Sequence, residues 1–165
     1  MKETPLFMIA EFEESDAPLT PLSPVSKVRL GYMSGDSSKA MTTEVATGNA
    51  ETDENGWKSV ADCLTKFTGK FSNWCLVGWN LRNLDWPAVV ANMVRCGCEF
   101  PDMMRLSMTR KWNDLPLVDL RNVVLQGGFS QEDIKLASAA YFMFGEADED
   151  PMSDLIRLYR KYARV

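Results

Sequence analysis

The chain has 165 residues, 45% of them hydrophobic and 25% charged, which predicts a single globular domain over 1–165 and excludes intrinsic disorder, collagen-like repeats and a coiled coil. Because 18 Lys and Arg residues face 23 Asp and Glu residues, the formal net charge is −5, which argues against a broad basic surface that grips duplex nucleic acid through its phosphates. The sequence has no histidine, so Ser-His-Asp triads and histidine-bound zinc are excluded, and any chemistry must use carboxylates, thiols, hydroxyls or lysines.

The first half of the chain predicts three strands. Residues 5–12 are mostly apolar and then turn acidic, as expected of a strand that leaves the core at its end. Three prolines indicate a loop over 15–24. Apolar and polar residues alternate over 27–32, which predicts a second strand with one wet face, and 39–47 is predicted to pair with it as a hairpin.

The second half predicts helices around a buried strand. Apolar residues spaced three and four apart predict amphipathic helices at 55–69 and 85–97, and the continuous apolar run between them, 74–79, predicts a strand covered on both faces. The further predictions are a strand at 104–109, a short helix at 117–125, a helix from the capping box 130–133 to 143, and a last helix over 151–163. Antiparallel strands followed by strands with crossover helices predict an α/β fold, with a mixed sheet of about five strands and helices packed on it.

The four cysteines are Cys63, Cys75, Cys96 and Cys98, and their spacing is not that of the paired CxxC motifs of a zinc ribbon. We interpret them as reduced structural thiols of an intracellular protein, with a zinc or redox site as the alternative. No segment has the length and apolar character of a signal peptide or a membrane span, so we expect a cytoplasmic location and no membrane partner.

Carboxylates stand at the ends of three predicted elements. Glu11 and Glu13 lie one residue apart on the first strand, which predicts that they share a face. Asp85 follows the central strand, and Asp154 lies in the first turn of the last helix. Taken singly, these are a solvated strand end, a helix cap and a charge on a helix dipole. Together they offer the oxygen ligands that Mg²⁺ prefers, and two such ions can promote phosphoryl transfer.

Residues 75–101 resemble a known motif, CLVGWNLRNLDWPAVVANMVRCGCEFP. It is similar to the second motif of the 3′→5′ exonucleases of the four-carboxylate DEDD superfamily, nearest to predicted exonucleases related to the proofreading domain of family-B DNA polymerases. The stretches WNDLPLVDLRNVV, GGFSQEDIKLASAAYFMFG and DPMSDLIRLYRKYARV resemble the later motifs in the same order. This resemblance covers nearly the whole chain and implies a ribonuclease-H-like fold.

The resemblance also implies roles for particular residues. The catalytic carboxylates and ligands of two Mg²⁺ or Mn²⁺ ions would be Glu11, Glu13, Asp85 and Asp154. Asn80 falls on the substrate-binding asparagine of the second motif. Each motif departs from the family in one residue, since Glu11 replaces an aspartate, Leu84 replaces an aromatic residue beside the substrate, and Asp150 replaces the tyrosine that orients the attacking water.

Two functions follow from this pattern. The first is a metal-dependent 3′→5′ exonuclease that trims single-stranded ends, DNA rather than RNA. The alternative is a catalytically eroded relative that keeps the fold and binds a protein or a nucleic acid, and a bare structural domain is a third interpretation. We interpret Trp79 and Trp86 as core residues, with base stacking as the alternative for an exposed one.

Overall fold

The computed structural model describes residues 3–33, 41–47, 53–99, 116–125 and 134–162. Within these ranges the chain forms five strands, namely β1 (Thr4–Phe12), β2 (Val25–Tyr32), β3 (Met41–Ala46), β4 (Trp74–Gly78) and β5 (Leu117–Asp119). The helices are α1 (Asp53–Lys70), α2 (Trp86–Arg95), α3 (Leu120–Leu125), α4 (Leu136–Phe144) and α5 (Pro151–Tyr162). A π-helical turn, Leu81–Asp85, joins β4 to α2.

The five strands form one mixed sheet in the order β3-β2-β1-β4-β5. β2 is antiparallel to both β1 and β3, whereas β4 is parallel to β1 and β5 is parallel to β4. The predicted α/β fold and the predicted mixed sheet are therefore confirmed. Because β1, β4 and β5 run in the same direction, their carboxyl ends meet at one edge of the sheet.

Helices cover both faces of the sheet, because the side chains of β1 alternate between two apolar clusters. Leu6 and Met8 are buried with apolar residues of α1 and α2, whereas Phe7 is buried with apolar residues of α5. The same division holds in β4, where Leu76 joins the first cluster and Val77 the second. A central strand that is buried on both sides has no polar alternation, which explains the continuous apolar run at its positions.

The predicted short helix at 117–125 is wrong in its first three residues. Leu117–Asp119 is the fifth strand, in register with Leu76–Gly78 of β4, and the helix begins at Leu120. A three-residue strand is too short to show a period of its own, so its pairing with β4 decides the structure. The strand predicted at 104–109 lies outside the described residues.

The other helix predictions need smaller corrections. The helix predicted at 85–97 is α2, which is shorter, because the chain passes first through the π-helical turn and α2 ends at Arg95. The helix predicted from 130 is observed as α4, which begins at Leu136, and the capping box at 130–133 lies outside the described residues. None of the helices in the described residues has the length and hydropathy that a membrane span requires.

Candidate functional site

A cleft opens at the edge where the parallel strands end. β4 pairs with β1 only from Thr4 to Phe7, so the rest of β1 has no strand beside it on that side. The cleft has a volume of about 890 Å³. Its lining residues come from β1 and the loop after it, from the turn after β4, and from the starts of α3, α4 and α5: Ile9, Ala10, Phe12, Pro18, Leu19, Trp79, Asn80, Asn83, Leu84, Asp85, Arg121, Ile134, Lys135, Leu136 and Pro151.

The turn after β4 brings Asn80 to this cleft. Asn80 has a φ of 53°, and it is the only non-glycine residue with positive φ in the described part of the chain. Asparagine tolerates this left-handed conformation better than most residues. Just before it, a Cβ at Gly78 would lie 2.9 Å from Leu81 Cδ1 and 3.2 Å from the carbonyl oxygen of Met8, so only glycine lets the π-helical turn pack this closely on β1.

Asp119 holds this turn in place, and the sequence did not single it out. It is the last residue of β5, and its side chain is buried. Its carboxylate accepts the backbone N–H groups of Arg82 at 3.0 Å and Arg121 at 3.1 Å, together with that of Asn80. Burial raises the pKa of Asp119, and the three N–H groups partly oppose this rise. An aspartate at the end of an apolar stretch, directly before a helix, is the signal that marks it.

Asp85 lines the cleft but does not cap α2. Asp85 is 7% exposed, and its carboxyl group accepts the backbone N–H of Ala10 at 3.1 Å. Ala10 lies in the part of β1 that does not pair with β4. Burial raises the pKa of Asp85 to about 8, and the nearby Asp119 carboxylate adds to this rise, whereas the Ala10 N–H lowers it. At neutral pH the Asp85 carboxyl group is therefore mostly protonated.

The Glu11 side chain is directed toward two basic residues of β2, Lys27 and Arg29. Glu11 Oε2 lies 3.3 Å from Lys27 Nζ, and Oε1 lies 3.7 Å from Arg29 Nη1. A β-bulge follows, because Glu11 pairs with Lys27 and Phe12 pairs with Val25, which leaves one extra residue in β2. Glu13 was predicted to lie on the first strand, but it follows the end of β1 and is exposed.

Asp150 and Asp154 organise the start of α5. Asp150 caps the helix, because its Oδ1 accepts the Met152 N–H at 3.1 Å, and it also forms an ion pair with Arg29 Nη2 at 2.5 Å. Asp154 is 1% exposed. Its two oxygens accept the Asp148 N–H at 3.0 and 3.1 Å, and Oδ1 lies 3.3 Å from Arg157 Nη1.

The structure therefore brings some of the predicted site residues together and separates others. Asn80, Leu84 and Asp85 share the cleft, whereas the remaining predicted residues are not among those that line it: Glu11, Glu13, Asp150 and Asp154. In the ranges that the structure describes, no group of three or more Asp, Glu or Cys residues is placed to hold a metal ion.

The arrangement of these donors does not fit the two metal ions that the resemblance implies. Glu11 already contacts two protein cations, and Asp154 contacts Arg157 and a backbone N–H. Metal ligation needs deprotonated and accessible carboxylates, so these residues would have to exchange their present partners first. Their catalytic and metal-binding roles stay predictions.

The sheet order and the helices on both faces define a ribonuclease-H-like fold, and solved structures with the same fold exist. The family B DNA polymerase of the hyperthermophilic archaeon Pyrobaculum calidifontis matches 99% of this chain and 23% of its own length, with 15% identity and a TM-score of 0.54. Exonuclease I (ExoI) in its complex with SSB-Ct matches 99% of this chain and 42% of its own, with 13% identity and a TM-score of 0.58. A zinc-ion-bound form of the Escherichia coli ExoI–ssDNA complex matches 99% and 40%, with 14% identity and a TM-score of 0.56.

At this identity the likeness shows the fold alone. The chain spans less than half the length of each of these proteins. No family model and no curated protein sequence matches the chain.

Proposed function

We propose that the cleft binds the end of a single-stranded nucleic acid and that this binding needs no divalent metal ion. The observation that carries the proposal is that Asn80, Arg121 and Lys135 line one cleft of a protein whose net charge is −5. Arg and Lys side chains bind phosphates, and the asparagine side chain can donate to and accept from sugars and bases. The sequence suggested, as an alternative to the exonuclease, a catalytically eroded relative that binds a protein or a nucleic acid, and this proposal takes the nucleic acid as the ligand.

The start of α4 adds positive potential to the same cleft. Ile134, Lys135 and Leu136 line the cleft, and the helix begins there with no hydrogen bond from its N-cap side chain. The N-terminus of a helix carries a partial positive charge and free N–H groups, both of which favour a phosphate. This feature supports the binding of an anion next to the Lys135 ammonium group.

Trp79 supplies an aromatic surface at the cleft. Its side chain is half-buried, and its Nε1–H donates to the carbonyl oxygen of Ile134 at 2.9 Å. The indole ring is therefore fixed in orientation before any ligand arrives. Stacking on a fixed aromatic ring stabilises a bound base without selecting its sequence. A single strand exposes its bases for such stacking, whereas a duplex does not, so Trp79 favours single-stranded ligands.

A two-metal 3′→5′ exonuclease acting on DNA ends, with Mg²⁺ or Mn²⁺, is the second candidate. The position of Asp85 in the cleft favours it, because the carboxylate that the resemblance assigns to the metal lies beside the proposed binding groups. The ion pairs of Glu11 and Asp154 argue against it. ExoI shares the fold and is described in complexes with ssDNA and with SSB-Ct, so a protein partner is a further alternative for this surface.

Fluorescence anisotropy in EDTA tests the proposal with a labelled single-stranded DNA, its RNA counterpart and a blunt duplex. We expect saturable binding of the single strands, about tenfold weaker for Lys135→Glu because one phosphate contact becomes repulsive. The matched control is Lys66→Glu, which makes the same charge change at an exposed position of α1 on the other face of the sheet. Absence of binding, or equal weakening by both variants, would contradict the proposal.

The same single-stranded DNA can be used to test for hydrolysis. Incubation of end-labelled single strands with Mg²⁺ or Mn²⁺ is expected to leave them intact. A ladder of shortened products that disappears in Asp85→Ala would support the exonuclease instead. Products that persist in both Asp85→Ala and Asp154→Ala would point to a contaminating nuclease.

A further inference from the structure

Arg29 on β2 contacts carboxylates from three separate segments. Its Nη1 lies 3.7 Å from Glu11 Oε1 on β1, and its Nε lies 3.0 Å from Glu44 Oε1 on β3. Its Nη2 lies 2.5 Å from Asp150 Oδ1 at the start of α5. The guanidinium group therefore connects the two strands on either side of β2 with the helix that packs on the sheet.

The Arg29 side chain is largely buried among carboxylates and is not a typical surface side chain. The side chain is only 14% exposed. Nε is buried and has no hydrogen-bond partner within the described residues, so its contact with Glu44 is an ion pair without hydrogen-bond geometry. Removing such a charge from water is costly unless several carboxylates compensate it, which is what these three groups do.

Lys27 provides a comparison on the same strand. Its Nζ lies 3.3 Å from Glu11 Oε2 and 3.9 Å from Glu44 Oε1, so it shares two of the three carboxylates. Its side chain is 38% exposed, and no contact with Asp150 is observed among the described residues. Arg29 is thus the cation that joins Glu11 to the start of α5.

We propose that Arg29 is the resident counter-ion of Asp150 and of Glu11, to which the resemblance assigns a metal ion, so that this end of the sheet is held together by a side chain and not by a metal ion. Glu11 and Asp150 are two of the residues for which the sequence suggested catalytic roles. The single positive charge of the guanidinium lies between them and partly compensates their two negative charges. The inference goes beyond the proposed function, since it concerns the counter-ion of the carboxylates and not the ligand of the cleft.

Mn²⁺ titration of the wild-type protein, followed by the EPR signal of free Mn²⁺, tests this inference without nucleic acid. The wild-type protein is expected to show no saturable site, and its melting temperature should be the same in Mn²⁺ and in EDTA. Saturable binding that is lost in Glu11→Gln would overturn the inference. This measurement decides the question even where a variant fails to fold.

Arg29→Ala is the complementary variant, because it leaves Glu11, Glu44 and Asp150 without their shared cation. In EDTA its melting temperature is expected to fall well below that of Lys27→Ala, the matched control, because Lys27 contacts only two of these three carboxylates. Equal melting temperatures for the two folded variants would contradict the inference. DNA binding does not enter this experiment, so its outcome is separate from that of the proposed function.

Discussion

The buried carboxyl group of Asp85 makes the stability of the fold depend on pH. Burial raises the pKa of Asp85 from its usual 3.8 to about 8, so the folded protein binds this proton more tightly than the unfolded chain does. Between these two values the folded state carries the extra proton, and the free energy of unfolding therefore falls as the pH rises. The contribution of Asp85 to the free energy of unfolding is fully present only below the pKa of the unfolded state and is lost above the pKa of the folded state.

The size of this effect follows from linkage. One proton bound only by the folded state changes the free energy of unfolding by about 1.4 kcal/mol per pH unit, or about 3 kcal/mol between about pH 5 and about pH 7. This is a large part of the total of about 5–15 kcal/mol that is typical of a domain. Asp85→Asn removes the titration and keeps an oxygen that can accept the Ala10 N–H. The variant should therefore gain about 3 kcal/mol over the wild type across this interval.

Urea unfolding of both proteins at several pH values measures this difference. The control is Asp62→Asn, which makes the same chemical change at an exposed position of α1. Subtracting the two wild-type-to-variant differences removes the contributions of all other titrating groups. Parallel pH profiles for the wild type and Asp85→Asn would refute the reasoning, because they would mean that Asp85 is already ionised in the folded protein.

Three further predictions concern the turn after β4 and the buried thiol. Asp119→Ala leaves three backbone N–H groups without their acceptor and is expected to cost about 3 kcal/mol in urea unfolding, whereas Asp119→Asn should cost less. Gly78→Ala places a Cβ 2.9 Å from Leu81 Cδ1 and should lower the free energy of unfolding by about 1–3 kcal/mol, with a lower melting temperature as the readout. Burial raises the pKa of the Cys75 thiol to about 12, so Cys75 should resist alkylation near neutral pH in the folded protein and react after unfolding, as mass spectrometry can show.

Much of the fold could be predicted from the sequence because most elements have a period. The alternation in β2, the apolar run of β4 and the three- and four-residue spacing of α1 identify these elements without knowledge of their neighbours. β5 could not be found in this way, because three residues contain no repeat and their conformation is set by pairing with β4. Tertiary pairing decides such short segments.

The geometry of the site was less accessible from the sequence. Asp85 was placed correctly at the start of a helix, but its partner, the N–H of Ala10, lies 75 residues away in the chain. The shared face predicted for Glu11 and Glu13 assumed a regular strand, whereas β1 ends at Phe12 next to a bulge. Arg29 appeared only as a polar residue on the wet face of a strand. Its three carboxylate partners come from three segments, and no local pattern indicates their meeting.

The most direct test of the central claim is to locate a bound strand end on the protein. A single-stranded oligonucleotide with a 3′-terminal 4-thiothymidine is irradiated with the protein in EDTA, and the cross-linked peptides are identified by mass spectrometry. Cross-links are expected in the peptides that carry Trp79–Asp85 and Ile134–Leu136, and they should be lost when excess unlabelled single strand is added. Cross-links confined to α1, or no competable cross-link at all, would contradict a nucleic-acid-binding cleft at this edge of the sheet.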